Sequence, residues 1–172
     1  MIAAVVPASG HSSRFGSDKR KALIDGTPML ERTVAALTAA GADPVLVVDD
    51  NPDPDRGMFS TIQIGLERAL AAHATIILVQ PADMPFVRPE TIATVAAECE
   101  RTGRAVCPRY GDKRGHPLAF PRALAQQLLT VDASTPLNEA FAAIGLVRFE
   151  LEVDDPGVLR DVDRPSDIDA MV

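Results

Sequence analysis

The chain has 172 residues, 47% of them apolar and 24% charged, with a formal net charge of −7 at pH 7, which suits one soluble globular domain with a sizeable core. That acidity excludes a broad basic face for nucleic acid, though not a local phosphate pocket. No apolar run approaches the ~20 residues of a membrane span, the opening MIAAVVPASG lacks the basic region of a signal peptide, and Cys99 and Cys107 lack metal-ligand spacing, so both read as buried apolar side chains in a reducing cytoplasm.

Residues 2–8, IAAVVPA, read as a buried strand. Thr27 and Pro28 suggest an N-cap and first helical position, with Leu30, Val34 and Leu37 on one helix face until Gly41. PVLVVDD (44–50) is a second strand, and Ser60 opens a helix that buries Ile62, Leu66, Ala69 and Leu70. ATIILVQ (74–80) is continuously apolar, as a strand covered on both faces should be. A helix follows from Pro89 to Gly103, then the strand AVCPRY (105–110), the turn-rich GDKRGHP and a short strand LAFP. Helices at 123–129 and 137–144, an edge strand in LVRFELEV and a short closing helix from Pro165 or Ser166 complete the chain. Strands alternating with helices predict one α/β domain over 1–172. Its form is a doubly wound, mostly parallel, Rossmann-like sheet in three α/β/α layers. Ligands of such sheets sit beyond the carboxyl ends of the strands, which here lead into 8–21, 49–61 and 80–88.

The first of these loops has five residues between Gly10 and Gly16 and places Lys19 three positions further on. That is neither G-x-G-x-x-G nor the P-loop pattern. Gly10 still allows close backbone approach, Ser12 and Ser13 add hydroxyls, Arg14 a planar fork and Lys19 a point charge, which together suit a phosphate cradle. The composition alone equally describes a solvated loop. Arg20 and Lys21 read as solvated.

The segment PASGHSSRFGSDK (7–19) resembles the opening pattern of the MobA-like nucleotidyltransferases, and five more segments follow the same family in order: GTPMLERTVAAL, NPDPDRGMFSTIQIGL, VQPADMPFV, KRGHPLAF and GVLRDVDRPSDI. The resemblance is to the molybdenum cofactor cytidylyltransferase branch. It implies a Mg²⁺-dependent transfer of a nucleoside monophosphate to a phosphorylated acceptor with release of pyrophosphate, CTP and molybdopterin being the favoured pair. A molybdoenzyme or maturation factor is an implied partner, and neither nucleic acid nor membrane is. By the same resemblance Ala8, Ser9, Gly10, Ser12, Ser13, Arg14, Lys19, Ser60 and Thr61 bind the nucleotide. Arg14, Lys19 and Asp83 are catalytic, Asp83 and Asp161 hold the metal, and Arg114 and His116 bind the acceptor. Asp163 is an alternative to Asp161, and Asn51 is either a turn residue or a ribose-side contact. Read without the family, Asp83 is a helix-cap or turn aspartate, and Ser60 and Thr61 are N-caps.

Two departures bear on the substrate. Pro7-Ala8-Ser9-Gly10 is closer to the A-A-G of the cytidine users than to the L-A-G-G of the guanylyl branch but carries Ser9 in place of the usual alanine or glycine, and residues 128–139, LLTVDASTPLNE, lack the branch's G-D-x-G-A-R segment. A sugar- or alcohol-phosphate nucleotidyltransferase and a non-catalytic cofactor escort remain as other readings.

Overall fold

The computed structural model describes residues 1–9 and 19–169, with the backbone alone for Lys19 and Asp169. The strands are β1 (Ile2–Pro7), β2 (Leu23–Ile24), β3 (Thr27–Pro28), β4 (Val45–Val48), β5 (Ile76–Val79), β6 (Val106–Tyr110), β7 (Lys113–Arg114), β8 (Leu118–Pro121) and β9 (Phe149–Glu152). The helices are α1 (Met29–Ala39), α2 (Met58–Ala71), α3 (Pro89–Thr102), α4 (Arg122–Leu128), α5 (Leu137–Ala143) and α6 (Pro165–Asp169), with 3₁₀ turns at Lys19–Lys21, Pro54–Arg56 and Pro156–Leu159.

The main sheet runs β4-β1-β5-β8-β6-β7, with β9 against β6. β1 is parallel to β4 and β5, and β6 is parallel to β9, whereas β8 is antiparallel to both β5 and β6. The sheet is therefore mostly parallel, as expected, with one reversed strand inserted. Chain length explains the reversal. Only residues 111–117 join β6 to β8, and a parallel neighbour needs a crossover of a dozen residues or more.

Alternate residues of the central strands feed two cores. Ala3, Val5, Ile77 and Val79 pack with Phe59, Ile62, Leu66, Phe120 and Phe141 on one face. Ala4, Val6, Ile76 and Leu78 pack with Leu37, Ile92, Val95 and Cys99 on the other. Burial on both faces is why these strands read as unbroken apolar runs. Cys99 and Cys107 are free thiols inside these cores. Burial pushes the Cys99 thiol up to about 12, with the Glu100 charge adding to it, and raises Cys107 also.

Gly65 sets the depth of α2 on the sheet. A Cβ there would lie 2.1 Å from Val5 Cγ1, so only glycine lets the helix sit this close to β1. The N-terminus of α2 is thereby fixed over the carboxyl ends of β1 and β4.

Two helix starts differ from expectation. Thr27 does not cap α1: Thr27–Pro28 pairs with Leu23–Ile24 in a hairpin, and Pro28 is the cap residue, without a side-chain bond. Asp25 (φ 51°) and Gly26 (φ 80°) form the turn, and this left-handed Asp-Gly pair favours a two-residue hairpin over an earlier helix start. α2 begins at Met58 after Gly57 (φ 98°), so Ser60 and Thr61 lie inside its first turn and not at its cap. α3 ends as expected, with Gly103 left-handed at φ 64° and its N–H bonded to the Cys99 carbonyl.

Candidate active site

One half of the candidate site is a polar network where β1 and β4 end. Ala8 N donates to the Val48 carbonyl at 2.9 Å, and Ser9 Oγ donates to the same oxygen at 2.9 Å. Ser9 Oγ accepts from Asn51 N at 3.4 Å. Asn51 Nδ2 then donates to Ser60 Oγ at 2.9 Å and to Thr61 Oγ1 at 2.8 Å, while its Oδ1 accepts from Asp53 N at 3.0 Å. Ser60 passes its proton to the Gly57 carbonyl at 2.7 Å. Ser9 and Ser60 each have one hydroxyl proton and give it to a main-chain oxygen. Their structural work is to bind the first loop, the second loop and the start of α2 into one piece. Asn51 is the centre of that piece, a bigger part than its reading as a turn or ribose contact.

Gly10, Ser12, Ser13 and Arg14 lie outside the described residues, as does the Lys19 side chain. The backbone of 19–21 forms a 3₁₀ turn, and Arg20 Nη1 donates to the Ala8 carbonyl at 3.0 Å. The expectation that Arg20 is solvated is thus corrected: it returns to the end of β1, where the Ala8 carbonyl offers its guanidinium an acceptor. Lys21 is exposed, as expected.

The other half forms where β5 ends. Asp83 occupies a turn whose successive carbonyls are each engaged. Thr33 Oγ1 of α1 donates to Ala82 O at 3.2 Å, Val162 N to Asp83 O at 2.9 Å and Gln80 Nε2 to Met84 O at 3.0 Å. The second of these bonds brings Asp161 beside Asp83, joining residues far apart in sequence.

Residues 155–162 form a strap across this region. Asp155 is 2% exposed and accepts from Arg88 N and Gly157 N, both at 2.9 Å, with Arg88 Nε 3.5 Å away. His116 N donates to the Val158 carbonyl at 3.0 Å. The contacts are close enough to demand glycine. A Cβ on Gly157 would lie 2.1 Å from Phe86 O, and one on Gly115 would lie 2.2 Å from Val158 O.

His116 lies within electrostatic reach of both candidate metal residues, Asp83 and Asp161. Burial lowers its pKa below the usual histidine value, and Arg148 adds to this; a hydrogen bond with the Val79 backbone and the charges of Asp83 and Asp161 oppose it. The imidazole is neutral at pH 7, and its buried Nδ1 has no hydrogen-bond partner. Arg114 behaves differently from its neighbour. It stands on β7, 55% exposed, with its Nε bonded to Glu150 of β9. The RGHP segment therefore ties its histidine backbone to the strap and commits its arginine to an ion pair on β9.

Among the described residues no three His, Cys, Asp or Glu side chains gather as a metal-holding group. Asp83 and Asp161, whose backbones meet through the Val162 N to Asp83 O bond, supply the oxygen chemistry of a hard divalent cation that completes its shell with water and substrate phosphate.

Sequence reasoning missed Gln80, Thr33 and Asp155, which hold the turn and strap. Gln80 had a signal, as a polar residue closing an apolar strand, and so had Asp155-Pro156-Gly157 as a turn sequence.

A mostly parallel sheet with chemistry-bearing loops gathered at the carboxyl edge is the architecture of Rossmann-like nucleotide-handling proteins. The fold agrees with that of a nucleotidyl transferase from Methanothermobacter thermautotroptrophicus at a TM-score of 0.76, covering 99% of this chain and 95% of that one at 23% identity. The chain belongs to the MobA-like NTP transferase domain family, whose model matches residues 4–147. It is 38% identical over 91 residues to a molybdenum cofactor guanylyltransferase of Xanthomonas euvesicatoria pv. vesicatoria (strain 85-10), covering 48% of this chain and 47% of the relative. It is 36% identical over 124 residues to a 2-C-methyl-D-erythritol 4-phosphate cytidylyltransferase of Rhodococcus opacus (strain B4), covering 62% of this chain and 55% of the relative. The chain thus spans about half the length of the curated relatives it matches. No helix among the described residues is long and apolar enough to cross a membrane.

Proposed function

We propose that the protein is a divalent-metal-dependent nucleotidyltransferase that moves a nucleoside monophosphate from a triphosphate to a phosphorylated small acceptor. The observation that carries this reading is the Val162 N to Asp83 O bond of 2.9 Å. It supports the reading because it joins the strap at Asp161-Val162 to the Asp83 turn, at the same sheet edge as the Ser9–Asn51–Ser60–Thr61 network.

In this reading an ionised phosphate oxygen of the acceptor attacks the α-phosphorus in line. A new P–O bond forms to the acceptor, the bond from the α-phosphorus to the β-bridging oxygen breaks, and pyrophosphate departs with that electron pair. The nucleophile is already charged, so no protein base is required, and catalysis rests on positioning and charge neutralisation. Asp83 and Asp161 would hold the cation, with Mg²⁺ the favoured ion, and it would supply neutralisation of the phosphate charge. Arg14 and Lys19 take the triphosphate charge. The backbone at Ala8, Ser9 and Gly10, with Ser12, Ser13, Ser60 and Thr61, cradles the nucleotide. His116, neutral and with Nδ1 uncommitted, turns to the acceptor, and Arg114 contributes once its pairing with Glu150 opens.

CTP and a molybdopterin-type acceptor are favoured by Pro7-Ala8-Ser9-Gly10 and NPDPDRGMFST, which resemble the cytidylyltransferase branch. GTP is the second reading, supported by the relative named for guanylyl transfer. Thermal shift against CTP, GTP, ATP and UTP with Mg²⁺ tests the nucleotide, because a specific ligand raises the melting temperature by mass action. A shift with CTP above the others supports the first reading; a larger shift with GTP replaces it with the second.

A further inference from the structure

One buried amide is unused by this chemistry. Gln80 directly follows β5, is 0% exposed, and donates from Nε2 to the Met84 carbonyl at 3.0 Å. Its Oε1 is buried without a partner. Reversing the amide would set that oxygen against the Met84 carbonyl oxygen, so the contact itself decides the orientation.

A buried acceptor without a partner is costly. Methionine or leucine would fill similar space without the cost. What the apolar side chains lack is the donor, and the donor is what reaches across the Asp83 turn. The other two bonds on this turn come from elsewhere. Thr33 divides one proton between Met29 O and Ala82 O, both at 3.2 Å, and Val162 belongs to the strap. Gln80 alone of the three ties the turn to the strand it leaves, where its own N–H is bonded to Val5 O at 3.1 Å in the central sheet.

We infer that Gln80 is a positioning residue: its Nε2 bond to the Met84 carbonyl fixes the turn that aims the Asp83 carboxylate at the metal. This role rests on the nucleotidyltransferase reading. It predicts that an apolar replacement disturbs the metal site more than the fold.

The test uses the full chain with Gln80→Met, and Gln80→Leu as a second variant should methionine pack poorly. Three readouts are taken: the melting temperature, protein-bound Mn²⁺ by electron paramagnetic resonance, and the Mn²⁺ concentration for half-maximal pyrophosphate release at saturating CTP and acceptor. The melting temperature should stay close to wild type, since losing the Met84 bond and losing the unpartnered Oε1 offset each other. Both Mn²⁺ measures should weaken by about 10-fold or more, as for other groups that orient metal ligands. Wild-type Mn²⁺ behaviour in both variants overturns the inference, whether or not the melting temperature falls. If wild-type protein binds Mn²⁺ but releases no pyrophosphate with any triphosphate, the nucleotidyltransferase reading fails while the resonance titration still decides Gln80. Wild-type protein that binds no Mn²⁺ overturns both.

Discussion

Replacing Gly157 by alanine should loosen the strap and, with it, the pairing of Asp161 with Asp83. The added Cβ would meet Phe86 O at 2.1 Å, Phe86 C at 2.6 Å and Asp155 Oδ1 at 2.9 Å, where ordinary contact begins at 3.4 Å. The nearest obstacles are main-chain atoms of a pinned turn, so no flexible side chain can yield. Overpacking of this kind costs about 1–3 kcal/mol. Distorting the Gly157 N–Asp155 bond of 2.9 Å forfeits part of a charge-assisted interaction of about 1.5–3 kcal/mol. Together these give a loss of about 2–4 kcal/mol, or roughly 5–15 °C in melting temperature for a chain this long. Urea unfolding measures it, with Gly103→Asn as the control. Gly103 has nothing within 4 Å of its would-be Cβ, and asparagine tolerates its left-handed backbone. Metal-dependent pyrophosphate release should also fall in Gly157→Ala at temperatures where the variant is still folded. A Gly157→Ala protein within about 0.5 kcal/mol of wild type and fully active would refute the reasoning that the strap positions the site.

Two further outcomes follow from the buried titratable groups. Cys99 and Cys107 should be inert to a thiol reagent at pH 8 in the native protein and react on unfolding, because burial holds both thiols protonated; fast labelling of native protein would contradict their burial. The folded His116 titrates below its unfolded value of 6.5. The unfolded chain therefore binds the proton more readily, so His116 gives full stability above pH 6.5 and loses it as pH falls toward the folded pKa. The slope from this residue is at most about 1.4 kcal/mol per pH unit. His116→Asn should flatten the decline below about pH 6.5, and an unchanged slope would remove His116 as its source.

Much of the fold was legible because single elements follow local rules. The apolar runs at 2–7 and 76–79 could only be strands covered on both faces, and Gly103 stopped α3 where its backbone had to turn left-handed. The hairpin before α1 was misread because Thr27-Pro28 satisfies the rules for a helix start as well as those for a strand. Asp25-Gly26, two residues earlier, decides between them. The direction of β8 follows from the shortness of 111–117, a topological constraint that periodicity does not express. The supports of the candidate site were not legible in the sequence. Asp83, Asp161 and His116 each stand out by residue type, yet their meeting depends on Val162 N reaching Asp83 O and on two glycines that admit the strap. Such long-range contacts leave no local pattern, and Asp155 and Gln80 acquire their roles only through them.

The central claim is tested most directly by pyrophosphate release from CTP in the presence of Mg²⁺ and a phosphorylated pterin acceptor, comparing wild type with Asp83→Asn. Wild type should release one pyrophosphate per nucleotide transferred, and Asp83→Asn should release it at least about 100-fold more slowly while keeping its fold and its thermal shift with CTP. Equal rates in the two proteins, or no release by wild type with CTP or GTP, would contradict the account.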